Sequence, residues 1–309
     1  MAETTPTPEL KTYNGNCHCG AVKFSIKIPE LTSVTECNCS ICFKKGYKWV
    51  FPSADGECFT IEKGEGGPRN YEFGNRSMVH KFCPTCGTGI MGQRHGIAPG
   101  TGIAVNARAL QDVDLWSLKI NKYDGAAHKP FYAPPILTGP EPPAEIENSK
   151  LYTGSCHCGA VTMALKNRGP LIQEAAPVAE EIGPEVIGEC DCSICARLGR
   201  ILTYRSPAQI SIRLSPGTNL SSYSFGTKQF EHKFCPVCGV AVGVDDVVEN
   251  TKAVNLRCFE GVGWVGIETY KHRGSREEPE YVVPEHHIDG KDSRTANEEQ
   301  EKEIREIEE

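Results

Sequence analysis

The sequence predicts a mainly β protein built as two tandem zinc-binding β domains joined by a proline-rich linker. Three observations carry that expectation. Seven cysteines recur in the same order in both halves, their neighbours recur with them, and short β-branched or aromatic runs fall between glycine and proline punctuation.

The first set of cysteines is Cys17, Cys19, Cys37, Cys39, Cys42, Cys83 and Cys86; the second is Cys156, Cys158, Cys190, Cys192, Cys195, Cys235 and Cys238. Each half therefore reads C-x-C, C-x-C-x-x-C, C-P-x-C-G. GNCHCGAV from Gly15 answers GSCHCGAV from Gly154, CNCSIC answers CDCSIC, and HKFCPTCG from His80 answers HKFCPVCG from His232. AVNARAL from Ala104 answers AVNLRCF from Ala253, so each repeat approaches a domain in size and the pattern reads as duplication rather than a short solenoid. The chain divides into a first domain over 11–133, a linker over 134–150 rich in proline, a second domain over 151–290 and an acidic tail over 291–309.

Strands are expected at AVKFSI from Ala21, KWVF from Lys48, GIAVNA from Gly102, ILTYRS from Ile201 and QISIRL from Gln209. A short helix is expected after each C-x-C-x-x-C, and another over DVDLWSL, 112–118. Cys19 to Cys37 spans 18 positions and Cys158 to Cys190 spans 32, so the second repeat carries a 14-residue insertion, Pro- and Glu-rich and expected as a surface loop.

Composition excludes several functions. The net charge of −7 lies mostly in the tail, where eight acids from Asp292 to Glu309 face three bases, leaving the body near neutral and without the basic footprint of nucleic-acid binding. That tail has too few apolar residues to offset its ordering entropy and is expected to be disordered. No window approaches the roughly 18 apolar residues of a membrane span, and the amino terminus has no secretory pattern, so a cytoplasmic protein is expected. In a reducing compartment the 16 cysteines stay thiols, and their paired spacings favour metal over disulfides.

Zinc is the metal expected. Structural zinc gathers two close cysteine pairs, which suits Cys17 and Cys19 with Cys83 and Cys86, and Cys156 and Cys158 with Cys235 and Cys238. This leaves Cys37, Cys39 and Cys42, and likewise Cys190, Cys192 and Cys195, as trios of thiolates with no fourth cysteine. Three protein ligands leave a position for water, a thiolate or a carbonyl oxygen, which separates a catalytic site from a structural one. The alternative is that His80 or His232, a backbone group or a distant carboxylate closes the fourth position. Neither ferredoxin spacing matches, which sets iron–sulfur clusters behind zinc. Cys58 and Cys258 lie outside the repeat and are expected as buried small hydrophobes. His18 and His157 sit between ligands in C-H-C, pointing away from the flanking sulfurs if the segment is a strand, so a role around the metal site or at the surface outweighs ligation. Asn106 with Arg108, and Asn255 with Arg257, serve equally well as substrate contacts or as strand-end hydrogen bonding.

GxCHCGAV, C-[ND]-C-S-I-C, HKFCPxCG and VNxR together resemble the family of the glutathione-dependent formaldehyde-activating enzyme and centromere protein V, across both repeats. The resemblance implies an Mss4-like β fold, a structural zinc on the first and last cysteine pairs and a second, reactive zinc on the central triplet, up to two zinc ions per repeat. It also implies a carbon–sulfur lyase acting on the adduct of a small thiol such as glutathione with an aldehyde or related electrophile. A zinc dehydratase or isomerase of a small metabolite, and a non-enzymatic zinc-stabilised protein-binding module, are the alternatives. The partner expected is a small thiol or other small metabolite, with no nucleic acid and no membrane.

Overall fold

The computed structural model describes residues 9–285, apart from 53–57, 65, 98–100, 172–185, 265–266 and 278. Most of the predicted insertion, and the acidic tail, lie outside the described residues.

Among the described residues the first repeat has ten strands: β1 (Lys11–Asn16), β2 (Lys23–Ile28), β3 (Ser33–Cys37), β4 (Trp49–Val50), β5 (Phe59–Lys63), β6 (Arg69–Tyr71), β7 (Met78–Phe82), β8 (Gly89–Arg94), β9 (Ile103–Asn106) and β10 (Lys119–Tyr123). The second repeats them in order: β11 (Ser149–Ser155), β12 (Val161–Arg168), β13 (Ile187–Cys190), β14 (Leu202–Arg205), β15 (Ile210–Leu214), β16 (Ser221–Tyr223), β17 (Phe230–Phe234), β18 (Ala241–Asp246), β19 (Thr251–Asn255) and β20 (Tyr270–His272). Each repeat builds a three-stranded sheet, β1-β2-β5 or β11-β12-β15, and a seven-stranded sheet, β10-β3-β4-β9-β8-β7-β6 or its counterpart β20-β13-β14-β19-β18-β17-β16. The five strands expected from sequence all form; four are trimmed at one or both ends, and the one expected from Ala21 is shifted to Lys23–Ile28.

Two short helices follow the same logic. Helices α1 (Ser40–Lys45) and α2 (Ser193–Leu198) begin one residue after the second cysteine of each triplet and contain the third, rather than following the motif as expected. The expected helix over 112–118 is instead a turn: Asp112 sits in the left-handed region, and Asp114 accepts the backbone N–H of Trp116 and the backbone carbonyl of Asp114 accepts the Ser117 hydroxyl. Aspartate used in this way competes with helical hydrogen bonding.

This topology brings the cysteines together. β1 and β11 run into the C-H-C turns, the β7–β8 and β17–β18 hairpins carry C-P-x-C in their connections, and β3 and β13 end on Cys37 and Cys190. β10 pairs in parallel with β3, placing Tyr123 opposite Cys37, as His272 lies opposite Cys190 on β20.

The two repeats pack as one body. One apolar cluster contains Ile41, Tyr47, Trp49 and Phe82 of the first repeat together with Tyr152, Val161, Phe234 and Val240 of the second. The segment after β10, expected as a linker, lies along the second repeat, where Ala144 donates to Ala208, Ser211 donates to the Pro140 carbonyl and Thr138 meets Thr162 at 3.3 Å. Helices α1 and α2 meet at their C-caps. Gly46 and Gly199 both take left-handed conformations (φ 58° and 59°), and a Cβ on Gly46 stands 2.1 Å from the Gly199 carbonyl oxygen. Conformation and contact both demand glycine here. Substituting Gly46→Ala is expected to cost about 2 kcal/mol or more, read as a lowered denaturation midpoint. Gly217 also has a positive φ, 74°, but open space around it, and Gly217→Ala is expected to cost only about half as much.

Candidate metal centres and the inter-repeat cavity

Four thiol clusters form, two of four sulfurs and two of three, with the ligand atoms of each cluster within 4.8 Å of one another. Cys17, Cys19, Cys83 and Cys86 are all buried; Cys156, Cys235 and Cys238 are buried and Cys158 is half-buried. Cys17 and Cys19 sulfurs stand 3.5 Å apart and Cys19 and Cys83 sulfurs 3.6 Å; the second repeat gives 3.5 and 3.6 Å for Cys156–Cys158 and Cys158–Cys235. A zinc tetrahedron with bonds of about 2.3 Å has sulfur–sulfur edges of roughly 3.8 Å, whereas a disulfide measures about 2.05 Å. The donor set and its spacing fit zinc. Backbone N–H groups of Val22 and Val161 point at Cys17 and Cys156 sulfurs at 3.2 and 3.3 Å, as such loops do around thiolates. The Thr88 hydroxyl adds a contact to Cys86 at 3.2 Å that Val240 cannot supply in the second repeat.

The triplets Cys37, Cys39 and Cys42, and Cys190, Cys192 and Cys195, are half-buried at their first two cysteines and buried at the third. The cluster stops at three in both: neither His80 nor His232 joins it, nor does an Asp or Glu of the described residues. The histidine closure considered from sequence therefore does not form. The short 3-10 turns after β10 and β20 press against the sulfurs through Gly125 and Gly274, whose Cβ atoms would lie 2.3 Å from Cys37 Sγ and 2.7 Å from Cys190 Sγ. These glycines were not singled out from sequence, although they occupy equivalent places in the two repeats.

The triplets differ in what donates to the third cysteine. In the first repeat Trp49 Nε1 donates to Cys42 Sγ at 3.2 Å, and Tyr47 and His80 stack beside it with Tyr47 Oη and His80 Nδ1 buried and unpartnered. In the second, Arg200 takes the place of Tyr47, and its Nη2 lies 3.1 Å from Cys195 Sγ and 3.0 Å from His232 Nδ1. Hydrogen bonds from Cys190 and Cys192, with the Arg200 charge behind them, hold Cys195 well below the usual thiol range. In the first triplet hydrogen bonds from Cys39 and Cys42 hold Cys37 low, at about 3, and Cys42 is pushed up. The third cysteine thus meets a neutral indole donor in one repeat and a guanidinium in the other.

His18 and His157 lie in turns, not strands, and are buried between the repeats. His157 enters a cage made wholly by the first repeat. Its Nδ1 is 2.6 Å from Tyr71 Oη, its Nε2 is 2.9 Å from Ser40 Oγ, Phe73 and Tyr132 flank the ring, and the Tyr132 hydroxyl donates to its carbonyl. His18 makes the same set with Tyr223, Ser193, Phe225 and Tyr281 of the second repeat. Each C-H-C turn is thereby tied to the serine that follows the second triplet cysteine of the other repeat. The pairs NYEFG/SYSFG and FYAPP/EYVVP carry this signal in the sequence. Cations cross alongside: Lys44 donates to the Ser155 and Cys258 carbonyls, Lys45 to the Cys238 and Gly239 carbonyls, and Arg197 to the Asn16 carbonyl. A tetrathiolate zinc centre carries two net negative charges, so these cations lie where compensation is needed.

A cavity of about 800 Å³ opens on Cys37 and Cys42. The first repeat supplies Glu36, Lys48, Arg108 and Trp116 to its wall, and the second supplies Glu189, Arg257 and Lys271. Asn106 and Asn255 turn out to be structural: each is buried, caps the next 3-10 turn and donates to a backbone carbonyl, Gly89 or Ala241. Cys58 and Cys258 are buried away from the clusters.

The fold and these centres define a duplicated β protein with a four-thiolate and a three-thiolate centre in each repeat. Residues 12–123 match the family model of the glutathione-dependent formaldehyde-activating enzyme. The second repeat shares the cysteine order and strand topology of the first. A crystal structure of a Rhodobacter sphaeroides protein is 27% identical over 38% of this chain and 98% of its own, with a TM-score of 0.29.

The buried histidines predict acid sensitivity. Burial holds His18 and His157 at about 4 and His80 and His232 at about 3. The unfolded chain takes up these protons below about pH 6.5 while the folded chain does not, so stability falls on acidification from pH 6.5 towards 4. Each such histidine contributes a slope of about 1.4 kcal/mol per pH unit. Denaturant titrations between pH 7 and 5 at fixed zinc are expected to show this, with a shallower slope in His157→Gln. Thiolate protonation acts alike on both chains and leaves that difference intact.

Proposed function

We propose that the protein is a zinc-dependent enzyme of the carbon–sulfur lyase type, making or breaking the bond between a small thiol and a carbonyl carbon. The observation that supports this reading is the first triplet: three sulfurs with no fourth Cys, His, Asp or Glu among the described residues, partly exposed, on the wall of a cavity large enough for a tripeptide-sized adduct. The match of residues 12–123 to a family model described as glutathione-dependent makes glutathione the first thiol to try.

On this reading Cys17, Cys19, Cys83 and Cys86, with Cys156, Cys158, Cys235 and Cys238, hold structural zinc, and the two triplets hold reactive zinc, up to four ions per chain. When bound there, zinc supplies thiol acidification or carbonyl polarisation. The protein's own residues supply the rest. Backbone N–H groups steady the sulfurs, the cavity wall orients the adduct, and burial limits water. In the bond-making direction the thiol sulfur adds to the carbonyl carbon, the carbonyl π pair moves to oxygen, and the proton lost by the thiol ends on that oxygen. Domain limits of 11–133 and 151–290 and a cytoplasmic location, where the thiols stay reduced, belong to the same proposal. Among the described residues no helix is long and apolar enough to cross a membrane.

Elemental analysis of protein purified without chelator is expected to find about four zinc per chain, falling to about two in Cys42→Ser/Cys195→Ser with the fold retained. Turnover of glutathione with formaldehyde, or with a larger aldehyde, is expected to be lost in the same variant. A binding module that merely uses zinc for stability is the reading favoured if Cys42→Ser leaves every thiol–aldehyde turnover unchanged.

A further inference from the structure

The cavity wall contains more positive charge than its acids neutralise. Lys48, Lys122, Lys271, Arg108 and Arg257 face Glu36, Asp124 and Glu189, five cations against three acids. Glu36 is taken by both Lys48, at 2.9 Å, and Lys122, and Glu189 by Lys271 at 2.9 Å. Among the described residues neither arginine makes a salt bridge.

They are equivalent residues of the two VNxR motifs, brought to one cavity by the packing of the helix C-caps. Arg108 is 6% exposed and donates only to backbone carbonyls, Gly46 through Nε and Ala196 through Nη1 at 3.2 Å. Arg257 lies over the Phe43 ring at 5.4 Å, and its Nε is buried with no hydrogen-bond partner. Burial first, and the charge of Arg257 second, pull Arg108 down to about 10. The two guanidiniums share this wall with only the longer-range attraction of Glu189 and Glu36 to offset their burial, and a guanidinium edge matches a carboxylate in geometry and charge.

We propose that Arg108 and Arg257 form an anion site that binds a carboxylate of the ligand at the junction of the two repeats, beside the first cysteine triplet. The site is composite, since neither repeat alone supplies both arginines, and it selects for acidic adducts over neutral ones. The inference rests on the functional reading above only for the choice of ligand.

Titration calorimetry on the full-length zinc-loaded chain tests it. S-methylglutathione has two carboxylates and no free thiol, so its binding does not depend on thiol chemistry. The native protein is expected to bind it, and to bind its dimethyl ester at least 10-fold more weakly. Arg257→Gln is expected to weaken S-methylglutathione by 10-fold or more, with Arg257→Lys intermediate. Because Arg257 has no hydrogen bond through Nε, losing mainly its contact with Phe43 and the attraction of Glu189 and Glu36, the ligand-free Arg257→Gln chain is expected to stay folded and melt near the native temperature, with the ligand-induced rise in Tm lost. Equal affinity for acid and ester, or unchanged affinity in Arg257→Gln, overturns the proposal, as does a lowered melting temperature without loss of binding. Tighter binding of inorganic phosphate than of the carboxylate probe overturns the carboxylate assignment. If arginine-dependent binding is found and no thiol–aldehyde turnover is, the anion site stands and the lyase reading falls.

Discussion

The structure depends on a reciprocal clasp. Each repeat places the histidine of its C-H-C turn into a cage of serine, two tyrosines and a phenylalanine from the other. A buried imidazole is costly unless both nitrogens are satisfied, and here each is matched to a hydroxyl that can donate or accept. Metal ligands on either side of the histidine set the turn, the turn aims the ring, and the ring holds the partner's Ser40 or Ser193 at the start of α1 or α2. The two kinds of thiol centre are therefore connected across the interface: the four-thiolate centre of one repeat braces the three-thiolate centre of the other.

Duplication has produced near-symmetry with one consequential break. Around the triplets Tyr47 and Trp49 correspond to Arg200 and Leu202, so a neutral indole donates to Cys42 and a guanidinium to Cys195. A charged donor withdraws electron density from a thiolate more strongly than a neutral one. The triplet facing the large cavity has the neutral donor and shares that cavity's wall with Arg257. The other repeat contributes Arg257, Glu189 and Lys271 to that cavity, which gives the second domain a part in the first domain's site.

Much of this was legible from the sequence because cysteine chemistry is sparse and spacing-specific. The four clusters, their division into fours and threes, the β class and the strand cores from Ala21 to Gln209 all follow from motif order and alternation. The errors have physical causes. DVDLWSL has helical spacing, but Asp114 spends its carboxylate and carbonyl on a local turn. The C-H-C histidines point into a neighbour that a single repeat does not reveal. Gly125 and Gly274 matter through a contact with sulfur that no local pattern records, and the role of Arg257 emerges only once two chain segments some 150 residues apart share a cavity wall.

The central claim is that the two repeats form one cooperative body whose interface completes the site. Scanning calorimetry of the full-length, zinc-loaded chain tests it most directly. The clasp, the shared apolar cluster and the crossing cations predict a single transition, with calorimetric and van't Hoff enthalpies equal. Two separable transitions, each with roughly half the enthalpy, would mean that the repeats unfold independently, and a composite site would be contradicted.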